Sequence, residues 1–175
     1  MNLSLLPAFS YRSLTEITPD FLCKQGVRFL MLDLDNTLAP YSEHLPSVSV
    51  TSWVSKIKDA GITLFFVSNS KRPTRVEVFA NALETGFIKE AQKPSPDKLL
   101  QTIAALGFST VETALVGDQI YTDVLAANLA GIISIIVRPI KLQNPLLALR
   151  FAVETPFRLV GFVKQKITKG RRQTQ

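Results

Sequence analysis

Two aspartates, Asp33 and Asp35, directly follow an apolar run in the stretch RFLMLDLDNTLAPY, residues 28–41. An acidic pair after a strand is ordinarily a turn or a helix cap. Further along the chain stand other polar residues that could serve one site with this pair, namely Ser68, Lys93, Asp118 and Asp123. Ionised carboxylates that lie together repel one another, and a hard divalent cation such as Mg²⁺ relieves that repulsion through oxygen ligands. The set indicates a Mg²⁺ site for a phosphate group, provided that the fold brings these residues together.

Each step of phosphate-ester hydrolysis has a candidate residue in this set. With a metal ion present to offset charge repulsion, Asp33 could attack phosphorus. Asp35 could protonate the leaving alcohol and later activate water against the phosphoenzyme. Ser68 could donate a hydrogen bond to a phosphoryl oxygen, and Lys93 could neutralise the charge that develops there. These residue types favour phosphoryl transfer, with a phosphate ester as the substrate.

Short apolar runs, each bounded by glycine or polar residues, predict the strands that would position these side chains. They span residues 27–33, 62–68, 113–117 and 132–138, and a fifth strand is expected around residues 87 and 88. Helical patterns with proline or glycine signals at their ends lie between them, at residues 47–61, 72–86, 95–107 and 121–131. The alternation predicts an α/β fold, three-layered and Rossmann-like, with a mainly parallel five-stranded sheet.

The predicted sheet gives the polar residues a common place. In open α/β sheets, ligands bind beyond the carboxyl ends of the strands. Asp33 and Asp35 follow the first predicted strand, Ser68 follows the second, and Asp118 follows the strand at 113–117. We therefore expect the acids, the hydroxyl and the lysine to gather at one edge of the sheet.

Four short motifs, in order along the chain, carry a resemblance to a known family. The stretch DLDNT, the hydroxyl of Ser68, the lysine before Pro94 and the stretch GDQIYTD resemble the four motifs of the haloacid dehalogenase (HAD) superfamily, over about residues 25–140. The resemblance implies that Asp33 is the nucleophile and a metal ligand. It further implies that Asp35 is the general acid and base, that the Asp35 backbone carbonyl binds the metal, and that Asp118 is another metal ligand.

The remaining site residues follow from the same resemblance. Ser68 corresponds to the second motif and Lys93 to the third. Thr37, Asn69 and Asp123 correspond to supporting positions, and Asp123 is expected to support the metal shell through water or its neighbours. Because dehalogenases of this fold do not need an acid at the position of Asp35, that residue favours phosphatase chemistry over carbon–halogen cleavage.

The spacing of the motifs predicts the openness of the site. The intervals from Thr37 to Ser68 and from Ser68 to Lys93 each hold about one helix with its linkers, which is too short for a cap domain of ordinary size. A site without a cap admits bulky substrates. Within the superfamily the chain is similar to the subclass IIIA phosphatases of the bacterial YqeG type, which are themselves similar to mitochondrial phosphatidylglycerophosphate phosphatases. A phosphate at a membrane surface is the substrate that this resemblance implies.

Charge divides the chain into a nearly neutral body and a basic end. We expect a phosphatase domain at residues 1–142 and a basic amphipathic tail at 143–175, packed on the same domain. Residues 141–175 contain eight lysines and arginines but one acid, Glu154.

The basic tail is predicted to be helical. Asn144–Pro145 and Thr155–Pro156 each predict a helix start. In the second helix one face is shared by Leu159, Val160, Val163 and Ile167. Contact with an anionic membrane, packing on the body and nucleic-acid binding are all open, the last least favoured because aromatic residues suited to stacking are few.

Composition excludes several other classes of protein. Cys23 and His44 are the only residues of their types, so a disulfide within the chain and a multi-histidine or cysteine metal cluster are excluded. No signal peptide or membrane-spanning helix is expected, and the predicted location is the cytoplasm, with peripheral membrane contact through the tail. Two alternatives to a lipid phosphatase remain: a phosphatase for a soluble metabolite or phosphoprotein, and a non-catalytic module that binds phosphate or a partner.

Overall fold

The computed structural model describes residues 3–69, 73–142 and 145–172 and shows one parallel sheet between two layers of helices. The strands are β1 (Phe9–Ser10), β2 (Phe29–Leu32), β3 (Thr63–Val67), β4 (Gly86–Ile88), β5 (Thr113–Gly117) and β6 (Ile133–Ile136). Their order across the sheet is β1-β6-β5-β2-β3-β4, and every neighbouring pair is parallel. The expected parallel α/β architecture is confirmed.

The predicted number of five strands is wrong by one, because β1 was missed. This strand has two residues and lies at the edge of the sheet, where it pairs with β6 alone. Its pairing is extended by a hydrogen bond from the Tyr11 amide to the Ile136 carbonyl at 2.9 Å. A two-residue edge strand has too short an apolar run to produce a sequence signal.

The helices are α1 (Pro19–Lys24), α2 (Val48–Asp59), α3 (Pro73–Ala82), α4 (Asp97–Ala105), α5 (Leu125–Ala130) and α6 (Pro145–Arg172). In α2 the Ser47 hydroxyl caps the first turn, and Val50, Trp53, Val54 and Ile57 are buried on one face. The Trp53 indole nitrogen donates to the Ile17 carbonyl at 2.7 Å. The apolar spacing that predicted this helix is therefore also the spacing that packs it.

The two faces of β2 separate the core into two clusters. Leu30 and Leu32 pack in one cluster with the buried residues of α2 and α3. Phe29 and Met31 point to the opposite face, where they pack with Leu99 of α4 and with residues of α5. Strands covered on both faces read as continuous apolar runs, which is why they could be found in the sequence.

Two predicted helices differ from the observed ones. The segment 72–86 forms a helix only to Ala82, and Gly86 begins β4 instead of ending the helix. A β-carbon at Gly86 would collide with the Phe65 ring, so the close approach of β3 and β4 requires glycine there. The segment 121–131 begins with a π-helical turn, Ile120–Val124, before α5.

The C-terminal segment forms one helix, α6, so the prediction of two helices is wrong. Pro156 lies inside α6, and beside it the Thr155 hydroxyl donates to the Phe151 carbonyl at 2.8 Å. Proline is also favoured at a helix start, which is why Thr155–Pro156 suggested a second helix. Asn144 and the side chains of Val163 and Ile167 lie outside the described part of the chain. Within the described part, no helix has both the length and the hydropathy needed to cross a membrane.

Candidate active site

Three buried carboxylates meet beyond the carboxyl ends of β2 and β5. Oxygen atoms of Asp33, Asp118 and Asp123 all lie within 4.8 Å of one another. Asp33 continues β2, and its amide donates to the Val116 carbonyl of β5 at 2.9 Å. Asp118 follows β5 directly, so the pairing of these two strands fixes the separation of the two acids. The predicted convergence at this edge is present for all three residues.

Lys93 lies at the centre of the cluster. Its ammonium group donates to Asp33 Oδ1 and to Asp123 Oδ1, each at 2.7 Å, and to the Val67 carbonyl at 3.0 Å. Only 1% of its side chain is exposed. The loop that carries Lys93 is held by Asn69, whose side-chain amide donates to the Lys93 carbonyl at 2.8 Å and accepts from the Lys93 amide at 3.0 Å.

Asp123 lies in a π-helical turn of the backbone. The π-helical turn adds one residue to the helical repeat and brings Asp123 back over the end of β5, where Asp123 Oδ2 accepts from the Gln119 amide at 3.0 Å. A β-carbon at Gly117 would overlap the Asp123 carboxyl group. Glycine at this position therefore permits the close approach of Asp123 to the strand.

Burial has the largest influence on the pKa values of the groups in the cluster. Burial, with help from Asp123, raises the pKa of Asp33 from 3.8 to about 7, although the charge of Lys93 opposes the change. Burial, Asp33 and Asp123 also raise the pKa of Asp118 well above its ordinary value. Burial alone would lower the pKa of Lys93, but Asp123 and Asp33 together raise it, so Lys93 is charged.

The donor set fits a hard divalent cation. Three buried carboxylates lie near one ammonium group, so the ionised cluster has an excess of buried negative charge. All the candidate ligand atoms are oxygens, which Mg²⁺ prefers over nitrogen or sulfur ligands. Thr37 Oγ1 lies 3.4 Å from Asp118 Oδ1, a long hydrogen bond that leaves the carboxylate available to a cation.

Asp35 does not join the carboxylate cluster with its side chain. Arg75 of α3 donates to Asp35 Oδ1 at 2.8 Å, to the Pro40 carbonyl at 2.6 Å and to the Glu43 carbonyl at 3.1 Å. Arg75 is 7% exposed. One guanidinium thus holds both the Asp35 carboxylate and the loop after it. The expected metal contact of Asp35 through its backbone carbonyl stays a prediction.

Ser68 and Asn36 lie at the same edge of the sheet. Ser68 is 1% exposed, and its carbonyl accepts from the Ala91 amide at 2.9 Å, close to the loop of Lys93. Asn36, next to Asp35, forms two hydrogen bonds with Lys141: its side-chain amide donates to the carbonyl at 2.7 Å, and its Oδ1 accepts from the amide at 3.0 Å. This pair of bonds attaches the segment before α6 to the first motif.

Sequence reasoning missed Arg75 and Arg158, two buried arginines that contact motif residues. Arg158 of α6 donates to the backbone carbonyl of Asp118. Each arginine lies 40 positions from its partner. A signal existed for Arg158, because Glu154 and Arg158 form an i, i+4 pair in a segment with no other acid. Arg75 near the start of a helix opposes the helix dipole, a weaker sign of a special role.

Comparison with known proteins gives the chain's relatives. Residues 18–131 match the sequence model of a family described as haloacid dehalogenase-like hydrolase. "Probable phosphatase YqeG" of Bacillus subtilis (strain 168) is 29% identical over 161 residues, which are 92% of either chain.

Two solved structures share the fold. The first is an uncharacterized protein from Listeria monocytogenes serotype 4b, 20% identical with a TM-score of 0.52, over 69% of this chain and 80% of the other. A hypothetical protein from Xanthomonas campestris is 19% identical with a TM-score of 0.54, over 80% of this chain and 79% of the other. At these identities the likeness concerns the fold alone.

Proposed function

Because the chain belongs to the haloacid dehalogenase-like hydrolase family, we propose that it is a Mg²⁺-dependent phosphatase that hydrolyses a phosphate monoester through an aspartyl-phosphate at Asp33. The observation that carries the proposal is the placement of Asp33 at the end of β2, among two further buried acids and Lys93. The similarity to the probable phosphatase of B. subtilis supports the reaction class. Asp33, Asp118 and the backbone carbonyl of Asp35 would hold the cation. Asp123 would support the metal shell, because its two carboxylate oxygens already accept from Lys93 and from the Gln119 amide.

The chain's own residues supply the steps. Asp33 Oδ1 is bonded to Lys93, which leaves Oδ2 to attack phosphorus and form an aspartyl-phosphate as the ester P–O bond breaks. Asp35 gives a proton to the departing alcohol and then takes one from the water that attacks the phosphoenzyme. Asp33 is released as a carboxylate together with inorganic phosphate. The bound Mg²⁺ would supply charge neutralisation between the carboxylate and the phosphate.

Ser68 is proposed to donate a hydrogen bond to a phosphoryl oxygen, and Lys93 to neutralise the charge that develops on the phosphoryl group. Lys93 is fixed by three hydrogen bonds, so its charge is already in place before substrate binds. Arg75 would keep the Asp35 carboxylate at the edge of the site. The segment between β2 and β3 consists of a loop and α2 without an inserted domain, so the proposed site admits a large substrate.

Hydrolysis of p-nitrophenyl phosphate tests the reaction. Wild-type protein with Mg²⁺ should release p-nitrophenol, and Asp33→Asn should reduce the rate to background. The matched control is Asp59→Asn, which changes an acid at the end of α2 outside the site. Equal turnover by wild type and Asp33→Asn would refute the mechanism.

Binding of beryllofluoride is a second test of the site. Beryllofluoride with Mg²⁺ should bind wild type and not Asp33→Asn. Binding without turnover of any ester would favour a non-catalytic module.

The exposed face of α6 supports a substrate at a membrane surface. Leu149, Val153 and Val160 are 63%, 51% and 49% exposed and recur at helical spacing; we call them the α6 stripe. The acid of this helix, Glu154, is buried and paired with Arg158, so it does not offset the basic residues that follow. Apolar side chains flanked by cations bind anionic bilayers, with about 1 kcal/mol from each basic residue near the surface.

We propose that the enzyme acts at the cytoplasmic face of an anionic membrane, with phosphatidylglycerophosphate as the first ester to test. Wild-type protein should sediment with phosphatidylglycerol vesicles more than with phosphatidylcholine vesicles. Changing the α6 stripe to serine should abolish the difference. Val48→Ser with Val111→Ser, which removes two exposed valines of the body, should not. Equal sedimentation by all variants, with activity on soluble esters retained, would favour a soluble substrate.

A further inference from the structure

The C-terminal helix α6 reaches the candidate metal site through a buried arginine. Arg158 is 6% exposed and donates through Nη1 to the Val137 carbonyl at 2.9 Å and through Nη2 to the Asp118 carbonyl. Val137 follows β6, and Asp118 follows β5. One guanidinium therefore spans the carboxyl ends of two adjacent strands, at the residue whose carboxylate belongs to the acidic cluster.

The environment of Arg158 holds it in one orientation. Glu154, one turn earlier on α6 and 1% exposed, accepts from Arg158 Nη2 at 2.7 Å. The guanidinium also lies over the Phe151 ring, 4.8 Å from its centre. A buried ion pair is not in itself a good source of stability, because apolar residues of similar size often stabilise as much. Attachment of the helix to the body alone would not require this pair.

The neighbouring contacts of α6 lead to the same group of residues. Phe157, which precedes Arg158, packs against a small buried cluster of Ile120, Val124 and Ile136. Ile120 and Val124 lie at the ends of the π-helical turn that carries Asp123. The segment before α6 is joined to Asn36, next to Asp35, by the two hydrogen bonds with Lys141. The helix and its linker thus contact the loops that carry the acids of the first and fourth motifs.

We propose that Arg158 is a positioning residue for Asp118: it fixes the backbone of Asp118 so that the Asp118 carboxylate is aligned for a divalent cation. The Asp118 carboxylate accepts a long hydrogen bond from Thr37. The contact of Arg158 with the Asp118 backbone carbonyl therefore constrains Asp118 more strongly than the contact with Thr37 does. The inference rests on the proposed metal-dependent function. It makes α6 part of the catalytic unit, in contrast to a tail that only adds contact with a surface.

Mg²⁺ binding to the full chain, measured by titration calorimetry, tests this role without using activity. Arg158→Met, which keeps the apolar bulk, should weaken Mg²⁺ binding by about tenfold to a hundredfold, the usual range for partners that orient a metal ligand. Arg158→Lys keeps the charge beside Glu154 but cannot span both carbonyls with one planar group. It should weaken binding less than Arg158→Met and more than twofold.

Lys58→Met is the matched control, because Lys58 also joins a helix to backbone carbonyls. Its ammonium donates to the carbonyls of Leu83 and Glu84 at 2.7 and 2.9 Å, away from the acidic cluster. This variant should lower the melting temperature and leave Mg²⁺ affinity unchanged.

Turnover provides a second measure of the effect of Arg158→Met. The Mg²⁺ concentration for half-maximal turnover should rise in this variant, and most of kcat should be recovered at saturating Mg²⁺.

The outcomes separate this role from the proposed function. Mg²⁺ affinity within twofold of wild type in both Arg158 variants would overturn the inference, even if their melting temperatures fall as in Lys58→Met. If Arg158→Met does not fold, Arg158→Lys alone decides by the same threshold. If wild type binds Mg²⁺ but hydrolyses no ester, weaker binding by the Arg158 variants would still support the positioning role while the phosphatase proposal fails.

Discussion

The buried Asp33 should make the metal-free protein less stable as the pH rises. Its pKa is about 7 in the folded protein, against an ordinary value of 3.8. A pKa difference of one corresponds to about 1.4 kcal/mol, so the rise corresponds to about 4 kcal/mol. Because the folded state binds this proton more tightly than the unfolded state, its contribution is fully present below about pH 4 and is lost as the pH rises through about 7.

Comparison of wild type with Asp33→Asn isolates this effect. The variant has no titrating group at position 33, while its side-chain oxygen can still accept a hydrogen bond from Lys93. Urea unfolding in EDTA, followed by the fluorescence of the buried Trp53, gives the free energy of unfolding from pH 4.5 to 8. The stability of wild type relative to Asp33→Asn should fall across this range by roughly 3 kcal/mol, since part of the loss has already occurred at pH 4.5.

Two controls complete this experiment. Val111→Ser changes an exposed side chain that does not titrate and should give a nearly constant offset from wild type. Saturating Mg²⁺ should remove most of the fall in wild type, because the cation stabilises the ionised carboxylates. Free energies that differ between wild type and Asp33→Asn by a constant amount from pH 4.5 to 8 would refute the reasoning about burial.

Two further substitutions test residues that hold the site. Arg75→Lys should lower kcat by about tenfold or more with a small change in KM, because it loosens Asp35, and general acid–base catalysis contributes about 10² to 10⁴; a kcat within twofold of wild type would contradict this. Gly117→Ala should displace the Asp123 carboxyl group, destabilise the protein by about 1–3 kcal/mol in thermal unfolding and weaken Mg²⁺ binding in calorimetry. Gly107→Ala, where a β-carbon meets open space, is its control for binding, and equal Mg²⁺ affinity in the two variants would contradict the steric argument.

The sequence was sufficient for the parts of the site that depend on strand ends. Asp33 and Asp118 lie at the ends of apolar runs that are buried on both faces, and parallel pairing of β2 and β5 brings such ends together. Lys93 could be placed near them by its order among the motifs. The placement of the two acids needs only local apolar runs and the general geometry of a parallel sheet, whereas that of Lys93 relied on the resemblance of the motifs.

Contacts made by single side chains across long stretches of chain could not be predicted in this way. Arg75 and Arg158 each reach a partner 40 positions away, and an arginine on an amphipathic helix ordinarily indicates a solvated face. The π-helical turn at Ile120–Val124 has the same apolar pattern as the start of an α-helix, so its extra residue was not visible. The space that excludes a β-carbon at Gly117 depends on that turn and could not be foreseen either.

The most direct test of the central claim is to identify the residue that carries phosphate during turnover. Wild-type protein is mixed with Mg²⁺ and p-nitrophenyl phosphate, quenched with acid within milliseconds and digested, and the peptides are analysed by mass spectrometry. One phosphoryl group on Asp33, present only with substrate and removed by hydroxylamine, is the expected result. Turnover with no phosphate on Asp33, or with phosphate on another residue, would contradict the account.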